Sequence, residues 1–243
     1  MSILKLFKTK LKTMKNIKIF TLLAISAMLL ANSCSPPVYH PTMVNVPLFK
    51  EAGEINVAAN ISTSGIEPQL AFAVTDNIGI MANACYNNMS KEGSRDYEIF
   101  QMIEFGAGYY KNFLKNGRYE VYGGVGYANK AFHVFNNGSF TTEEVPYTKF
   151  FIQPSIGITT QFADAAFSPR FVLANIEDTN YTYGVMYVEP AFTVKLGYKY
   201  IKFIAQVGAS LRFQQHDYSV NNRAHQPLIL GFGLQANLNR NWE

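Results

Sequence analysis

The sequence predicts an all-β chain that closes into a single antiparallel up-and-down barrel of about ten strands. Segments of about ten residues alternate polar and apolar side chains, the two-residue period of a strand with two different faces. A polar residue followed by proline opens such a run at Glu67-Pro68, Gln153-Pro154, Glu189-Pro190 and Gln226-Pro227, and Glu104-Phe105 opens a fifth. The runs recur once per hairpin, so five hairpins give ten strands. An even set of alternating strands closes naturally into a barrel.

The alternation assigns each strand an outer and an inner face. Leu230, Phe203 and Val194 lie on continuous apolar faces, whereas Gln206 and Gly231 lie on faces that mix glycine, small and charged residues. A face turned to water would accommodate bulky charged side chains throughout. The small residues therefore predict the inside of a narrow barrel, with the apolar faces turned outward.

Six charged residues fall on the predicted inner faces, namely Glu104, Arg170, Glu189, Lys195, Lys202 and Arg212. A charge in a narrow interior is costly unless it is paired. The main interpretation is a structural network that fills the lumen with side chains. The alternative is a proton or ion path, or a small binding pocket.

Residues 1–33 have the features of a signal peptide. Lysines precede an apolar stretch, and a small residue stands before Cys34. Met14 is a better start than Met1 for such a signal. Leu30-Ala31-Asn32-Ser33-Cys34 resembles the lipobox of bacterial lipoproteins, although Asn32 stands where a small residue is usual. The resemblance implies that Cys34 is the lipidation site and carries acyl chains such as palmitate. The alternative is an ordinary secretory signal with a chance cysteine.

Residues 34–52 contain four prolines and predict a lipidated N-terminus followed by a stiff tether, and residues 53–243 predict the barrel domain. Short connections alternate with longer polar ones at about residues 88–99, 135–146, 177–183 and 214–225. This arrangement resembles that of outer-membrane barrels of Gram-negative bacteria. It implies periplasmic turns, periplasmic termini beside the anchor, and a location in the cell outer membrane. The implied partners are outer-membrane lipid and the barrel-assembly machinery.

Composition argues against nucleic acid as a partner. Six of the 21 basic residues are lysines within residues 1–33, which contain no acidic residue, so 15 basic residues remain against 17 acidic ones. The basic balance thus belongs to the leader. The charged share of 16% is below the roughly 25% of soluble domains, and the aromatic share is 14%. Both values suit an outer surface in lipid.

The sequence predicts no enzyme, no cofactor and no metal site. His40, His133, His216 and His225 lack ligand spacing and an accompanying cysteine or carboxylate cluster. The leading interpretation is therefore a structural or interaction barrel whose loops meet an unidentified external ligand. A narrow channel or carrier is the first alternative. A lipid-modifying envelope enzyme is the second, and it would need a serine–histidine pair near the membrane rim.

Overall fold

The computed structural model describes residues 37–90, 96–113, 115–178, 181–215 and 225–242. The predicted signal peptide and Cys34 lie outside these residues. Every regular element within them is a strand, and they contain no helix of the length and hydrophobicity that would cross a bilayer. The strands are β1 (Ile55–Ser62), β2 (Gly65–Ala73), β3 (Ile78–Ser90), β4 (Tyr97–Asn112), β5 (Gly117–Asn136), β6 (Ser139–Thr159), β7 (Ala163–Asp178), β8 (Tyr181–Tyr198), β9 (Ile201–Ala209), β10 (Leu211–Gln215) and β11 (Leu228–Leu238).

Ten of these strands form a closed antiparallel barrel, which confirms the predicted fold class. Consecutive strands from β1 to β9 pair with their neighbours, β9 pairs with β11, and β11 pairs with β1 to close the ring. The short β10 follows β9 after a break at Ser210 and pairs with β8 alone. We call the end with the β2–β3, β4–β5, β6–β7 and β8–β9 connections the turn end, and the opposite end the loop end.

The predicted register is also confirmed. Leu230 and Phe203 are exposed on the outer surface, and Val194 is partly exposed there. Gln206 and Gly231 are buried in the interior. The alternation is therefore a division between outer wall and interior, as the small residues on the inner faces indicated.

The outer wall carries a continuous apolar band. On β4, the outward-facing residues between Gln101 and Lys111 are Ile103, Phe105, Ala107 and Tyr109, all of them exposed. Ten residue steps span about 33 Å along a strand, which a tilt of 35–45° reduces to about 25 Å along the barrel axis. That height matches the apolar band of transmembrane barrels.

Two of the predicted long loops are strand instead. β5 and β6 continue through residues 135–146 and meet in a two-residue turn at Asn137-Gly138, where both residues have positive φ. β7 and β8 likewise continue to Asp178 and from Tyr181. Polar residues predominate on both faces of these segments, which suggested loops from sequence. Their backbone pairing nevertheless extends the hairpins past the apolar band.

The prolines inside the strands coincide with interruptions of the ladder. The β6–β7 ladder has a gap between the Ile152–Phe171 and Ile156–Phe167 pairs, although the register is the same on both sides of it, and this gap contains Pro154 and Pro169. Pro190 in β8 lies where the partner strand changes from β9 to β10. Proline lacks the backbone N–H that a central strand would donate, so pairing is interrupted on one side of the strand at these residues. Pairing on the other side continues through them, as in the Val121–Pro154 and Pro169–Pro190 pairs.

Residues 37–49, which we call the threaded segment, run through the inside of the barrel. At the loop end, the Ser64 hydroxyl donates to the carbonyl of Pro41 at 2.6 Å. At the turn end, the ring of Phe49 packs against Tyr110 with the ring centres 5.4 Å apart. Residues 38–49 are all buried. The segment therefore does not run outside the barrel as the predicted tether, and residues 37–243 form one compact unit that begins before residue 53.

A disulfide across the lumen tests this path. A Cβ atom built on Gly231 lies 2.9 Å from the Cγ of Met43, close to the roughly 3 Å between Cβ and the far sulfur in a disulfide. We expect Met43→Cys with Gly231→Cys, in a Cys85→Ala background, to form a disulfide that changes migration on a non-reducing gel. Leu230→Cys replaces Gly231→Cys in the control, because residue 230 faces outward. Equal cross-linking of both pairs would contradict the threaded path.

Candidate functional site

The centre of the interior contains a cluster of buried charges. The Arg170 guanidinium lies 2.7 Å from a Glu189 carboxylate oxygen and 3.6 Å from Glu104. Glu104 also pairs with Lys149 at 2.6 Å and accepts a hydrogen bond from Asn83 at 2.8 Å. All four charged side chains are almost completely buried. Two carboxylates and two cations balance, which is the condition for holding such groups away from water.

The charge cluster binds the threaded segment directly. The Tyr39 hydroxyl donates to Glu189 at 2.8 Å, and Arg170 donates to the carbonyl of Thr42 at 2.8 Å. The ring of Tyr39 stacks on Tyr187 with the centroids 4.0 Å apart. The cluster therefore anchors the segment as well as neutralising its own charges.

Side-chain amides take the place of a neighbouring strand for the middle of the segment. Gln206 accepts from the Val44 N–H at 2.7 Å and donates to the Val44 carbonyl at 2.9 Å. Gln69 donates to the carbonyl of Met43, and Gln153 donates to that of Asn45. A glutamine amide both donates and accepts, so one side chain can satisfy both backbone groups of a residue.

Charged side chains complete the same task towards the turn end. Lys195 donates to the Val46 carbonyl at 2.6 Å, and Arg240 donates to the Leu48 carbonyl at 2.9 Å. Glu120 accepts from the Phe49 N–H at 3.2 Å. The bonds reach the segment from strands on different sides of the barrel, so it is held from all around.

Glycines on the inner faces leave room for the segment. A Cβ atom on Gly79 would approach the Phe49 ring to 3.1 Å, and one on Gly157 would approach Leu48 to 2.9 Å. A Cβ atom on Gly231 would collide with Met43. The small residues of the inner face are thus explained by a peptide in the interior as well as by the narrowness of the barrel.

The repeat that predicted the fold also marks residues that bind the segment. Glu67 accepts from the Met43 N–H at 2.8 Å, and the side chain of Gln226 lies 2.9 Å from the His40 ring. Gln153 and Glu189 make the contacts given above. In all four polar–proline pairs, the polar side chain therefore contacts residues 39–45.

The predicted charge network is divided into separate groups in the structure. Glu104, Arg170 and Glu189 come together at the centre. Lys202 pairs instead with Asp164 near the turn end, at 2.7 Å. Lys195 binds Val46 and Gln235. Arg212 is half-buried in β10, opposite Tyr187 in the register.

Sequence reasoning missed Lys149, Asp164, Glu67, Glu120, Arg240 and the threaded segment itself. The signal for Lys149 and Glu120 was present, because strict alternation along β5 and β6 places both inward. Glu67 and Gln153 were treated only as strand openers. Arg240 follows the last strand, where no alternation remains to place it.

The described histidines have structural partners. His133 is 2.9 Å from the Thr142 hydroxyl, and the Nε2 of His225 lies 3.0 Å from the Ser210 carbonyl. Because a carbonyl only accepts, Nε2 of His225 carries the proton. Burial lowers the pKa of His225. In the described ranges, no three His, Cys, Asp or Glu side chains are grouped as metal ligands. His216 lies outside the described residues.

Comparison with known proteins gives no family for this chain. No protein-family model matches it, and no curated protein matches it.

Removing Glu189 tests whether the charge cluster stabilises the barrel. Glu189→Ala leaves Arg170 short of one carboxylate and Tyr39 without its acceptor. Breaking a buried pair costs about 3–5 kcal/mol, so we expect a clearly lower unfolding temperature. Glu177→Ala, on the exposed outer face of β7, is the matched control and should change little. Equal unfolding temperatures for the two variants would contradict a stabilising cluster.

Proposed function

We propose that the protein is a non-catalytic outer-membrane barrel, anchored by lipid at Cys34, with a structural or interaction role and an interior closed to permeation. The observation that carries the proposal is the threaded segment, which is buried and hydrogen-bonded along the barrel interior. Outer-membrane lipid and the barrel-assembly machinery are its proposed partners.

The outer wall supports membrane placement. Large apolar side chains are exposed on every strand that forms the barrel, including Ile61, Phe72, Ile80, Phe105, Val125, Ile152, Phe171, Phe192, Phe203 and Leu234. Soluble monomers rarely expose contiguous apolar patches of more than a few hundred Å². A wall of this kind is stable where lipid covers it.

The contacts of the threaded segment support a closed interior over a channel. An open pore needs a continuous aqueous path, whereas here buried side chains meet the segment from several strands. Opening a path would require breaking many of these bonds together.

The long β5–β6 hairpin supports an interaction role. It continues past the apolar band, and His133 stacks on Tyr97 with the ring centres 4.3 Å apart. Phe140 packs edge-on against Tyr97 and Phe135 yet remains half exposed. A stiff hairpin with exposed aromatic rings is suited to contact an external partner.

An arginine in the apolar band tests membrane placement. Phe105 faces outward midway between Gln101 and Lys111. Phe105→Arg should lower the free energy of unfolding in lipid vesicles by about 2–4 kcal/mol, as lipid-facing arginines do near the bilayer midplane. Phe105→Leu is the control, and urea titration in vesicles is the measurement. A full-length protein that stays soluble without lipid or detergent would overturn membrane placement.

Conductance tests the closed interior. In planar bilayers, the full-length protein should give no steady single-channel current under conditions in which an open porin conducts. Glu189→Ala should remain non-conducting, because the many other bonds of the threaded segment persist. Steady current from the wild-type protein would reject the closed interior and favour the channel alternative.

A further inference from the structure

The threaded segment starts at the loop end of the barrel. The backbone N–H of Gln226 donates to the carbonyl of Tyr39 at 3.0 Å, and Tyr39 forms a parallel bridge with His225. Ser64, in the β1–β2 turn, binds Pro41. The ring of His40 stacks on Phe100 with the centroids 4.7 Å apart. These contacts all belong to the loop-end half of the barrel.

The segment finishes at the turn end, where the chain enters β1. Asn112, the last residue of β4, donates to the carbonyl of Lys50 at 2.8 Å. The Lys50 ammonium lies 3.4 Å from the carbonyl of Asn241, three residues after the end of β11. The C-terminal residues are therefore beside residue 50 and at the opposite end of the barrel from residue 39.

From this path, we infer that the chain preceding Pro37 emerges at the loop end, so that the mature N-terminus and the C-terminus lie on opposite sides of the membrane. The inference rests on the proposed membrane placement. It differs from the sequence-based prediction that both termini are periplasmic. That prediction assigned residues 34–52 to a tether that precedes the barrel. An even number of strands returns the barrel to its starting side, but the threaded segment crosses once more.

The same path determines where an anchor at Cys34 would enter the bilayer. Cys34 precedes Pro37 by three residues, which reach at most about 11 Å when fully extended. The acyl chains would therefore enter the leaflet at the loop end. If the turns are periplasmic, that leaflet is the outer one, and the protein is held by lipid on the cell surface.

The interior contacts make this crossing a fixed part of the fold. Arg170, Gln206 and Lys195 bind three successive parts of the segment, at Thr42, Val44 and Val46. Each partner is buried, so its bond would not be replaced by water without rearrangement. A reversed or withdrawn segment would leave all three without these partners.

Three single-tag versions of the full-length protein test the sidedness. One epitope tag is inserted between Ser35 and Pro36, one replaces Gly138 in the β5–β6 turn, and one follows Glu243. Each version is expressed in Gram-negative cells, and antibody labelling is measured on intact and on permeabilised cells. The Gly138 tag marks the loop end whichever way the barrel is inserted. The outer-membrane fraction is assayed in parallel.

We expect the N-terminal tag to show the same labelling pattern as the hairpin tag. If these two tags are labelled on intact cells, the C-terminal tag should be labelled only after permeabilisation. If these two tags are labelled only after permeabilisation, the C-terminal tag should be labelled on intact cells. An N-terminal tag that follows the C-terminal tag, in protein recovered from the outer membrane, would overturn the inferred sidedness and leave membrane placement intact. Equal labelling of all three tags with recovery in the soluble fraction would overturn both.

The Met43→Cys with Gly231→Cys cross-link is assayed in each tagged version. Cross-linking at the wild-type level shows that the tag has not displaced the segment, so the labelling pattern reports the native path. Loss of the cross-link only in the N-terminally tagged version would mean that the inserted tag disturbs the segment. The N-terminal side is then located with Ser35→Lys, which inserts no residues, by biotinylation of the new lysine. A residue 35 that is biotinylated under the same condition in which the hairpin tag is labelled supports the inference. A residue 35 that is biotinylated under the condition in which the C-terminal tag is labelled overturns it.

Discussion

The structure depends on one constraint, which is that an extended peptide inside a barrel has no neighbouring strand to bond with. Each of its buried N–H and C=O groups costs free energy unless a side chain supplies the missing partner. Prolines reduce the number of backbone groups that need a partner, because Pro41 and Pro47 have no N–H group. Many of the other groups bond to glutamine, glutamate, lysine and arginine side chains of the surrounding wall. The polarity of the inner faces follows from this demand.

The same constraint explains why the inner faces combine long polar side chains with glycine. A long side chain is needed where the wall is far from the segment, and clearance is needed where the two approach each other. Gln206 spans to Val44, whereas Gly231 and Gly157 make room for Met43 and Leu48. An interior filled by side chains alone would need bulky residues at those glycine positions. The pattern of gaps is complementary to the peptide that fills them.

The sequence predicted the barrel because a two-residue period is a local signal that each strand displays by itself. It predicted the type of inner residue for the same reason, and Glu104, Arg170 and Glu189 do meet. It failed for the threaded segment, whose prolines and apolar residues also describe a linker. Its partners lie as far away in sequence as Arg240, 192 residues from Leu48, so no local pattern connects them. The extended hairpins were missed because strands beyond the apolar band lose their two-faced composition.

Occupation of the interior and closure of the barrel are therefore coupled. The threaded segment bonds to residues from Asn56 in β1 to Arg240 after β11, the two ends of the strand order that closes the ring. A barrel that closed first would leave Arg170, Lys195 and Gln206 without these partners, at about 1–3 kcal/mol for each unsatisfied buried group. A segment that threaded afterwards would have to pass between the long polar side chains that line the narrow interior. Closing the β1–β11 seam around a segment already in place would avoid both costs. Residues 37–49 belong to the same compact unit as the strands, so they are a part of the fold and not a removable plug.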